Sequence, residues 1–278
     1  MVDDSFLAQS YDAFVQVEEE FNEALDQTLD PRGPDLLFDV VAELALPDGA
    51  TALDVGCGEG RHAIELAKRF NLRARGVDPV PRHIAVAMHE AREQARSFTG
   101  LLGSVTFGTG TAEELPVEDQ TVDLIWCRDV LVHVDDLNAA YGEFRRVLKP
   151  GGRALIYQMF ATDRLEPQEA GWLLPTMGCV AASMVPEHAE AAIEAAGLRI
   201  DRRIVLGTEW AEWGHEHSGK GGRKLLHAAR LLREPDRYIE RFGQANYDIA
   251  LGDSLWHVYR LIGKLSDRIY LLSSPARP

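Results

Sequence analysis

The segment Leu53–Phe70, LDVGCGEGRHAIELAKRF, places three glycines and an acidic residue between a short apolar run and a helical pattern. Gly56, Gly58 and Gly60 stand at alternate positions, and Asp54 lies two residues before the first of them. A glycine-rich turn between a strand and a helix brings backbone N–H groups close to a bound ligand. The segment therefore predicts a ligand-binding loop, and the chemistry of its neighbours must say which ligand it binds.

The spacing of these glycines argues against a nucleotide phosphate. Dinucleotide-binding loops have the pattern Gly-x-Gly-x-x-Gly, whose third glycine would fall at Arg61 in this sequence. The sequence also lacks the Gly-Lys-Ser/Thr of loops that bind nucleoside triphosphates. The carboxylate of Asp54 beside the loop disfavours a pyrophosphate and favours a cationic or hydrogen-bond-donating ligand.

Three further segments follow the glycine loop in a recognisable order: GVDP, GTAEELPVEDQTVDLIWCRDVLVHVDD and RRVLKPGG. Together with LDVGCGEG, over about residues 50–160, they resemble the class I S-adenosylmethionine-dependent methyltransferases. The resemblance implies an α/β fold with a Rossmann-like, seven-stranded, mostly parallel sheet and helices on both faces. It also implies S-adenosylmethionine as the methyl donor and S-adenosylhomocysteine as the product.

The resemblance also assigns residues to the donor. Asp78 takes the place of the family's acidic residue that binds both ribose hydroxyls, and Asp54 is expected to hold the ammonium group of the donor's amino-acid tail, directly or through water. Capping of a loop or helix is the alternative for both carboxylates. The full set of residues assigned to the donor is Asp54, Gly56, Cys57, Gly58, Gly60, Asp78, Pro79, Thr111, Ala112, Glu113 and Arg128.

The sequence departs from the family pattern at Thr111, where an acidic residue often contacts the adenine amino group. The Thr111 hydroxyl offers a weaker contact. Glu113 or the backbone amides near Ala112 are the alternatives for adenine recognition.

The segment CRDVLVHV, which faces the acceptor in this family, contains His133. Imidazole suits proton removal near neutral pH, so His133 is the candidate catalytic base. A structural histidine hydrogen-bonded under the sheet is the alternative. The segment lacks the Asn/Asp-Pro-Pro-Tyr of enzymes that methylate nucleic-acid bases and the glutamate pair of protein arginine methylation. We therefore expect a small-molecule acceptor, methylated at oxygen or nitrogen of a natural-product-like or sugar-like metabolite.

Aromatic residues outside these motifs are candidates for acceptor binding. They are Tyr11, in a predicted N-terminal helix, and Trp210, Trp213 and His215 in the segment TEWAEWGHEHSGKGG. The glycines around that segment predict a mobile, aromatic and acidic lip of the acceptor pocket. His215 and His217 have the spacing of a metal-binding pair, but the sequence supplies no firm third ligand, so we predict no metal site.

Composition restricts the partners further. The 278 residues carry 29 basic and 44 acidic side chains, a formal net charge of −15, which argues against a nucleic acid or an anionic membrane as the main partner. Three cysteines without paired spacing fit a reducing compartment, and no apolar run approaches the roughly 20 residues that span a bilayer. We therefore expect a cytoplasmic protein.

The elements that must position these residues alternate between strand and helix. Strand patterns at 51–57, 73–78, 105–110, 121–129 and 153–160 are separated by helical ones, which predicts a parallel sheet. Two later strand patterns, at 198–207 and 268–274, enclose a long helical insertion. The predicted organisation is an N-terminal helical lid (1–46), an α/β core (47–207), a helical cap (208–266), and the last strand and tail (267–278). The cap would close the acceptor pocket or form the face of a homodimer.

Three functions remain at this point. The first is a methyltransferase that acts on a small molecule by in-line displacement. The second is a sensor or scaffold that binds S-adenosylmethionine without transferring a methyl group. The third, a nicotinamide-dependent oxidoreductase, is disfavoured by Arg61.

Overall fold

The computed structural model describes residues 17–27, 30–96 and 104–275. Within them, seven strands form a single sheet in the order β3-β2-β1-β4-β5-β7-β6. The strands are β1 (Thr51–Val55), β2 (Arg73–Asp78), β3 (Thr106–Thr109), β4 (Val122–Arg128), β5 (Leu148–Ala161), β6 (Arg199–Gly207) and β7 (Leu265–Ser273).

The first five strands pair in parallel, whereas β7 runs antiparallel to both β5 and β6. The chain order reverses at β1, which lies between β2 and β4. In open α/β sheets, ligands bind outside the carboxyl ends of the strands at such a switch point. The glycine loop leaves β1 at this place.

Ten helices with defined bounds surround the sheet in the described part of the chain. They are α1 (Leu36–Glu43), α2 (Arg61–Phe70), α3 (Pro81–Ala95), α4 (Leu137–Val147), α5 (Pro167–Thr176), α6 (Pro186–Ala195), α7 (Glu209–Ser218), α8 (Lys220–Arg233), α9 (Pro235–Phe242) and α10 (Gln244–Leu261). Residues 17–26 are also helical, with exposed side chains.

Strand β4 shows why both faces of the sheet must be covered. Ile125 and Cys127 are buried with residues of α4 and α6 on one face, and Leu124 and Trp126 are buried with residues of α1 and α7 on the other. A parallel strand with apolar side chains on both faces requires helices on both sides. The predicted fold class is confirmed, including the helical insertion before the last strand, which comprises α7 to α10.

Two elements differ from the sequence prediction. Strand β5 begins at Leu148 rather than after the KPGG turn, because Leu148 pairs with Val122 before a register shift in β4. The segment predicted as a mobile lip within the helical cap forms helix α7. Its Trp210 is buried and stacks on Tyr157 of β5, with ring centroids 4.3 Å apart, and this contact anchors the helix to the sheet.

No helix in residues 17–27, 30–96 or 104–275 is both long and apolar enough to cross a membrane.

Candidate functional site

The glycine loop and the end of β2 form one hydrogen-bonded unit. The backbone N–H groups of Gly56 and Cys57 both donate to the carbonyl oxygen of Val77, at 2.7 and 3.0 Å. The N–H of Gly58 donates to Asp78 Oδ2 at 3.0 Å. The two segments that the sequence assigned to the donor are therefore fixed against each other at the switch point of the sheet.

The three glycines are required for different reasons. All have a positive φ, but a Cβ on Gly56 would lie 2.1 Å from Val130 Cγ2, and one on Gly60 would lie 2.7 Å from Phe107 Cζ. These two glycines make room for the protein's own side chains. A Cβ on Gly58 would meet no described atom within 4 Å. Of the three, only Gly58 would direct a Cβ into space free of described atoms. Close approach of the donor to all three glycines stays a prediction.

Asp54 is a buried carboxylate with an unpaired oxygen. Its side chain lies near the backbone N–H of Ala63 in the first turn of α2. Its Oδ2 has no hydrogen-bond partner among the described residues. Burial, helped by the charge of Asp78, raises the pKa of Asp54 to about 8 against the opposing effects of the Ala63 hydrogen bond and of Arg128. An ammonium group or another N–H donor fits this orphaned oxygen.

Asp78 ends β2 and is held by several donors. Its Oδ1 accepts from the N–H of Val80 at 2.9 Å and lies 3.1 Å from His83 Nδ1, while Oδ2 accepts from Gly58. An ionised carboxylate has about four acceptor positions, so Oδ2 keeps capacity for a further hydrogen bond. Asp78 thus both stabilises the turn before α3 and is a suitable acceptor for a ribose hydroxyl. Pro79, next in the chain, is exposed.

Cys57 points into the protein. Its side chain is buried, and Sγ would lie 2.8 Å from a Cβ built on Gly76 of the neighbouring strand β2. Burial raises the pKa of the thiol well above its ordinary range.

The segment after β3 lies next to Asp78. The N–H of Gly110 donates to the Asp78 carbonyl oxygen at 3.4 Å. The Thr111 hydroxyl accepts from the N–H of Glu114 at 3.1 Å and so stabilises its own turn. Ala112 is buried and Glu113 is half-buried. Adenine recognition by these residues stays a prediction.

Arg128, at the end of β4, has its guanidinium between helices α2 and α7. Nη1 donates to His62 Nε2 at 2.9 Å, and the guanidinium carbon lies 5.4 Å from the centre of the Trp210 ring. Burial and the charges of Arg128 and Arg61 lower the pKa of His62 to about 4, so His62 is neutral and accepts. A direct contact of Arg128 with the donor stays a prediction.

His133 lies in a 3₁₀ turn, Leu131–His133, directly after β4. Its side chain is exposed, and Nδ1 lies 2.8 Å from the carbonyl oxygen of Gly178. Because a carbonyl can only accept, this contact assigns the proton to Nδ1 in the neutral ring and leaves Nε2 with its lone pair. The structure thus gives His133 a fixed orientation and a free basic nitrogen.

Asp129 is a candidate that the sequence analysis did not select. It has φ 58°, a left-handed conformation that non-glycine residues seldom adopt outside turns and functional sites. Its side chain is half exposed, and its Oδ2 lies 3.5 Å from Arg128 Nε. The sequence signal was an acidic residue four positions before His133.

The residues predicted to bind the acceptor mainly contact protein. Trp213 stacks on His217, with ring centroids 4.2 Å apart, and its ring lies against Gly33. His215 Nδ1 accepts from the N–H of Gly222 at 3.1 Å and so caps the start of α8. Acceptor binding by these residues and by Trp210 stays a prediction. Tyr11 lies outside the described residues.

Metal-ligating side chains are not grouped in the part of the chain that the structure describes. No three His, Cys, Asp or Glu side chains there are arranged to hold a metal ion.

Comparison with known proteins finds a family whose model matches the part of the chain that contains this site. Residues 53–156 match the family model described as "Methyltransferase domain". Sterol 24-C-methyltransferase erg-4 of Neurospora crassa is 32% identical over 127 residues, which cover 46% of this chain and 32% of that protein. The chain therefore spans about a third of the length of this relative.

Two solved structures share the fold over most of the chain. The [4+2]-cyclase SpnF is 25% identical, with a TM-score of 0.67, and the match covers 87% of this chain and 82% of SpnF. Phosphoethanolamine N-methyltransferase 2 of Haemonchus contortus, solved with S-adenosylhomocysteine, is 20% identical, with a TM-score of 0.65, over 89% of this chain and 54% of that one.

Proposed function

We propose that this chain, whose residues 53–156 form a class I S-adenosylmethionine-dependent methyltransferase domain, moves a methyl group from S-adenosylmethionine to a small-molecule acceptor. One observation carries the proposal. The glycine loop is hydrogen-bonded to Asp78 at the switch point of the sheet, next to a buried Asp54 whose Oδ2 lacks a partner among the described residues. S-adenosylmethionine carries an ammonium group and ribose hydroxyls, and these groups can donate hydrogen bonds to the carboxylates of Asp54 and Asp78.

The donor supplies a methyl group on a positively charged sulfur. Asp54 Oδ2 would accept from the ammonium group of the donor's tail, and Asp78 Oδ2 would accept from a ribose hydroxyl. The open backbone at Gly58 lets the donor approach the loop closely. A bound cation near the end of β1 would in turn favour the ionised form of Asp54, whose pKa burial raises to about 8 in the free chain.

The transfer step needs alignment and a destination for one proton. An oxygen or nitrogen of the acceptor attacks the methyl carbon in line, the carbon–sulfur bond breaks, and sulfur keeps that electron pair, which yields S-adenosylhomocysteine. The proton lost by the acceptor goes to His133 Nε2, the nitrogen left free by the hydrogen bond from Nδ1 to Gly178. We assign O- or N-methylation of a natural-product-like or sugar-like metabolite to this arrangement.

The fold by itself does not fix the reaction, since one structural relative is a [4+2]-cyclase. Two measurements therefore test the function. Calorimetry with S-adenosylhomocysteine and with NADH tests the donor, and we expect saturable binding of the first only. Transfer of a labelled methyl group to a panel of small hydroxyl and amino compounds tests the reaction.

The outcomes separate the three functions. Donor binding with labelled product supports the methyltransferase. Donor binding without product across the panel, including acidic, neutral and basic acceptors, would favour a sensor or scaffold. Saturable binding of NADH alone would overturn the proposal.

A further inference from the structure

A second feature of the molecule is a cavity of about 200 Å³ between helix α7, the start of α8 and the end of α10. Its lining includes the cationic side chains of Arg128, Lys220 and Arg260, together with His257, whose pKa is lowered mainly by burial, and no carboxylate from the described residues. The indole rings of Trp210 and Trp213 form part of its wall. In a chain with a net charge of −15, this is an unusual concentration of basic groups.

The charges of these groups are only partly balanced. Arg260 Nη2 lies 2.5 Å from Asp267 Oδ2, and Arg128 Nε lies 3.5 Å from Asp129 Oδ2. Lys220 forms no ion pair with any described residue. The cavity therefore has an excess positive charge at its Lys220 side.

Three buried N–H donors of the lining residues have no hydrogen-bond acceptor among the described residues: Arg128 Nε, Arg260 Nε and Trp210 Nε1. The 3.5 Å contact of Arg128 Nε with Asp129 does not satisfy it. Buried donors without partners are rare because each costs free energy. These three nitrogen atoms are themselves enclosed by protein, so the positive charge of the lining side chains, rather than these donors, favours an anion in the cavity.

The start of helix α8 adds to this field. Lys220 is the first residue of this 14-residue helix, whose first turn contains no acidic residue, and the buried Gly221 lines the cavity. A lysine at a helix N-terminus adds positive charge to the positive end of the helix dipole, which is unfavourable by itself. A bound anion would compensate both charges.

We propose that this cavity binds the acidic group of the methyl acceptor, so that the acceptor is a small organic acid carrying a carboxylate or a phosphate. The inference rests on the proposed function. Arg128 connects the cavity to the end of β4, where Asp129 and His133 follow in the chain. The volume suits an acidic group with a few attached atoms, and the indole wall suits a flat substituent.

The donor also has a carboxylate, so the test must distinguish two sources of the same chemistry. We would titrate inorganic phosphate and benzoate into the full chain, with and without saturating S-adenosylhomocysteine, and follow tryptophan fluorescence. Saturable binding to both forms is expected, because the proposal gives the cavity to the acceptor and leaves the donor at the glycine loop. Competition between these anions and S-adenosylhomocysteine would instead assign the cavity to the donor's tail.

Lys220→Met is the informative variant, because its side chain is exposed at the rim and has no ion-pair partner among the described residues. We expect about a tenfold loss of phosphate and benzoate affinity, as for removal of one charge-assisted contact. Arg223→Met is the matched control, since Arg223 is exposed on the same helix and does not line the cavity. It should keep wild-type affinity for both anions, and thermal unfolding should show that both variants are folded.

Failure of this inference and failure of the proposed function give different results. No saturable anion binding, or equal losses in the two variants, would overturn the inference while S-adenosylhomocysteine still binds. Absence of S-adenosylhomocysteine binding would overturn the proposed function. The anion titration would then show only whether the cavity binds anions. In assays with labelled donor, Lys220→Met should raise the KM for an acidic acceptor about tenfold. The KM for the same acceptor with its acidic group masked as a methyl ester should not change.

Discussion

The donor end of the sheet and the helical insertion, the two proposed sites for charged ligand groups, are built by different means. At the donor end, Asp54 and Asp78 lie on adjacent parallel strands and are joined to a loop by backbone hydrogen bonds. In the insertion, Lys220 and Arg260 come from two helices and meet Arg128 of the sheet at a cavity. The first site is negative and built from short side chains at strand ends, whereas the second is positive and built from long ones.

The two sites differ in how easily their ligand specificity can change. A site built from backbone and strand ends changes little when surface helices change, since the sheet fixes its geometry. A site built from long side chains on inserted helices can change without disturbing the sheet. The donor end therefore suits a ligand common to many relatives, and the insertion suits a ligand particular to this chain.

The largest expected effect is at the donor end. Asp78→Ala removes the acceptor for a ribose hydroxyl and also the partner of the Gly58 N–H, so we expect about a thousandfold loss of S-adenosylhomocysteine affinity by calorimetry. Asp39→Ala, an exposed carboxylate on α1, is the control and should bind normally. Unchanged affinity in Asp78→Ala would mean that the ribose is held elsewhere, and phosphate binding at the cavity should survive in either case.

The second prediction concerns the base. His133→Ala should slow turnover about a hundredfold, because proton transfer by a positioned base contributes at least that much. The affinity for S-adenosylhomocysteine should not change, since His133 lies after β4 and its Nδ1 donates to Gly178. Full activity would remove His133 from the mechanism, and Asp129→Asn would then be the next variant to test.

The third prediction uses the buried charge of Asp54. Its pKa is raised to about 8 in the folded chain, so the folded state binds a proton that the unfolded state has released once the pH exceeds its ordinary pKa. The free energy of unfolding should therefore fall by about 1.4 kcal/mol per pH unit between about pH 5 and 7, relative to Asp54→Asn. Urea unfolding of both proteins across this range measures the difference.

Bound S-adenosylhomocysteine should weaken this pH dependence of the free energy of unfolding. A bound ammonium group stabilises the ionised carboxylate, so saturating S-adenosylhomocysteine should flatten the pH dependence of the wild type and do so much less in Asp54→Asn. Identical slopes with and without the ligand would place the ammonium group away from Asp54.

The donor end could be predicted from the sequence because its signals are local. A glycine loop directly after one strand and an acidic residue at the end of the next are visible within 26 residues, Leu53 to Asp78. What the sequence does not show is which glycine faces the ligand. That depends on Val130, which follows β4 and would meet a Cβ on Gly56, and on Phe107 of β3, which would meet one on Gly60.

The acceptor side was predicted less well because its signals are not local. The helical form of TEWAEWGHEHS depends on Trp210 stacking on Tyr157, a residue more than fifty positions away. The free nitrogen of His133 depends on the carbonyl of Gly178. The basic cavity joins Arg128 to Lys220 and Arg260, and only the packing of α7, α8 and α10 brings these residues together.

The smallest expected effect separates the two regions most cleanly. Trp210→Phe keeps a ring to stack on Tyr157 and removes the unpaired Nε1 donor, so the free energy of unfolding should change by only about 1 kcal/mol. The affinity for S-adenosylhomocysteine should stay the same, because the ring belongs to the insertion. Benzoate should bind a few-fold more weakly and phosphate should bind as before, because only the flat ring of benzoate would contact the smaller aromatic wall. A parallel loss of donor affinity would show that the two sites are one, and the contrast between a fixed donor end and an adaptable insertion would then fail.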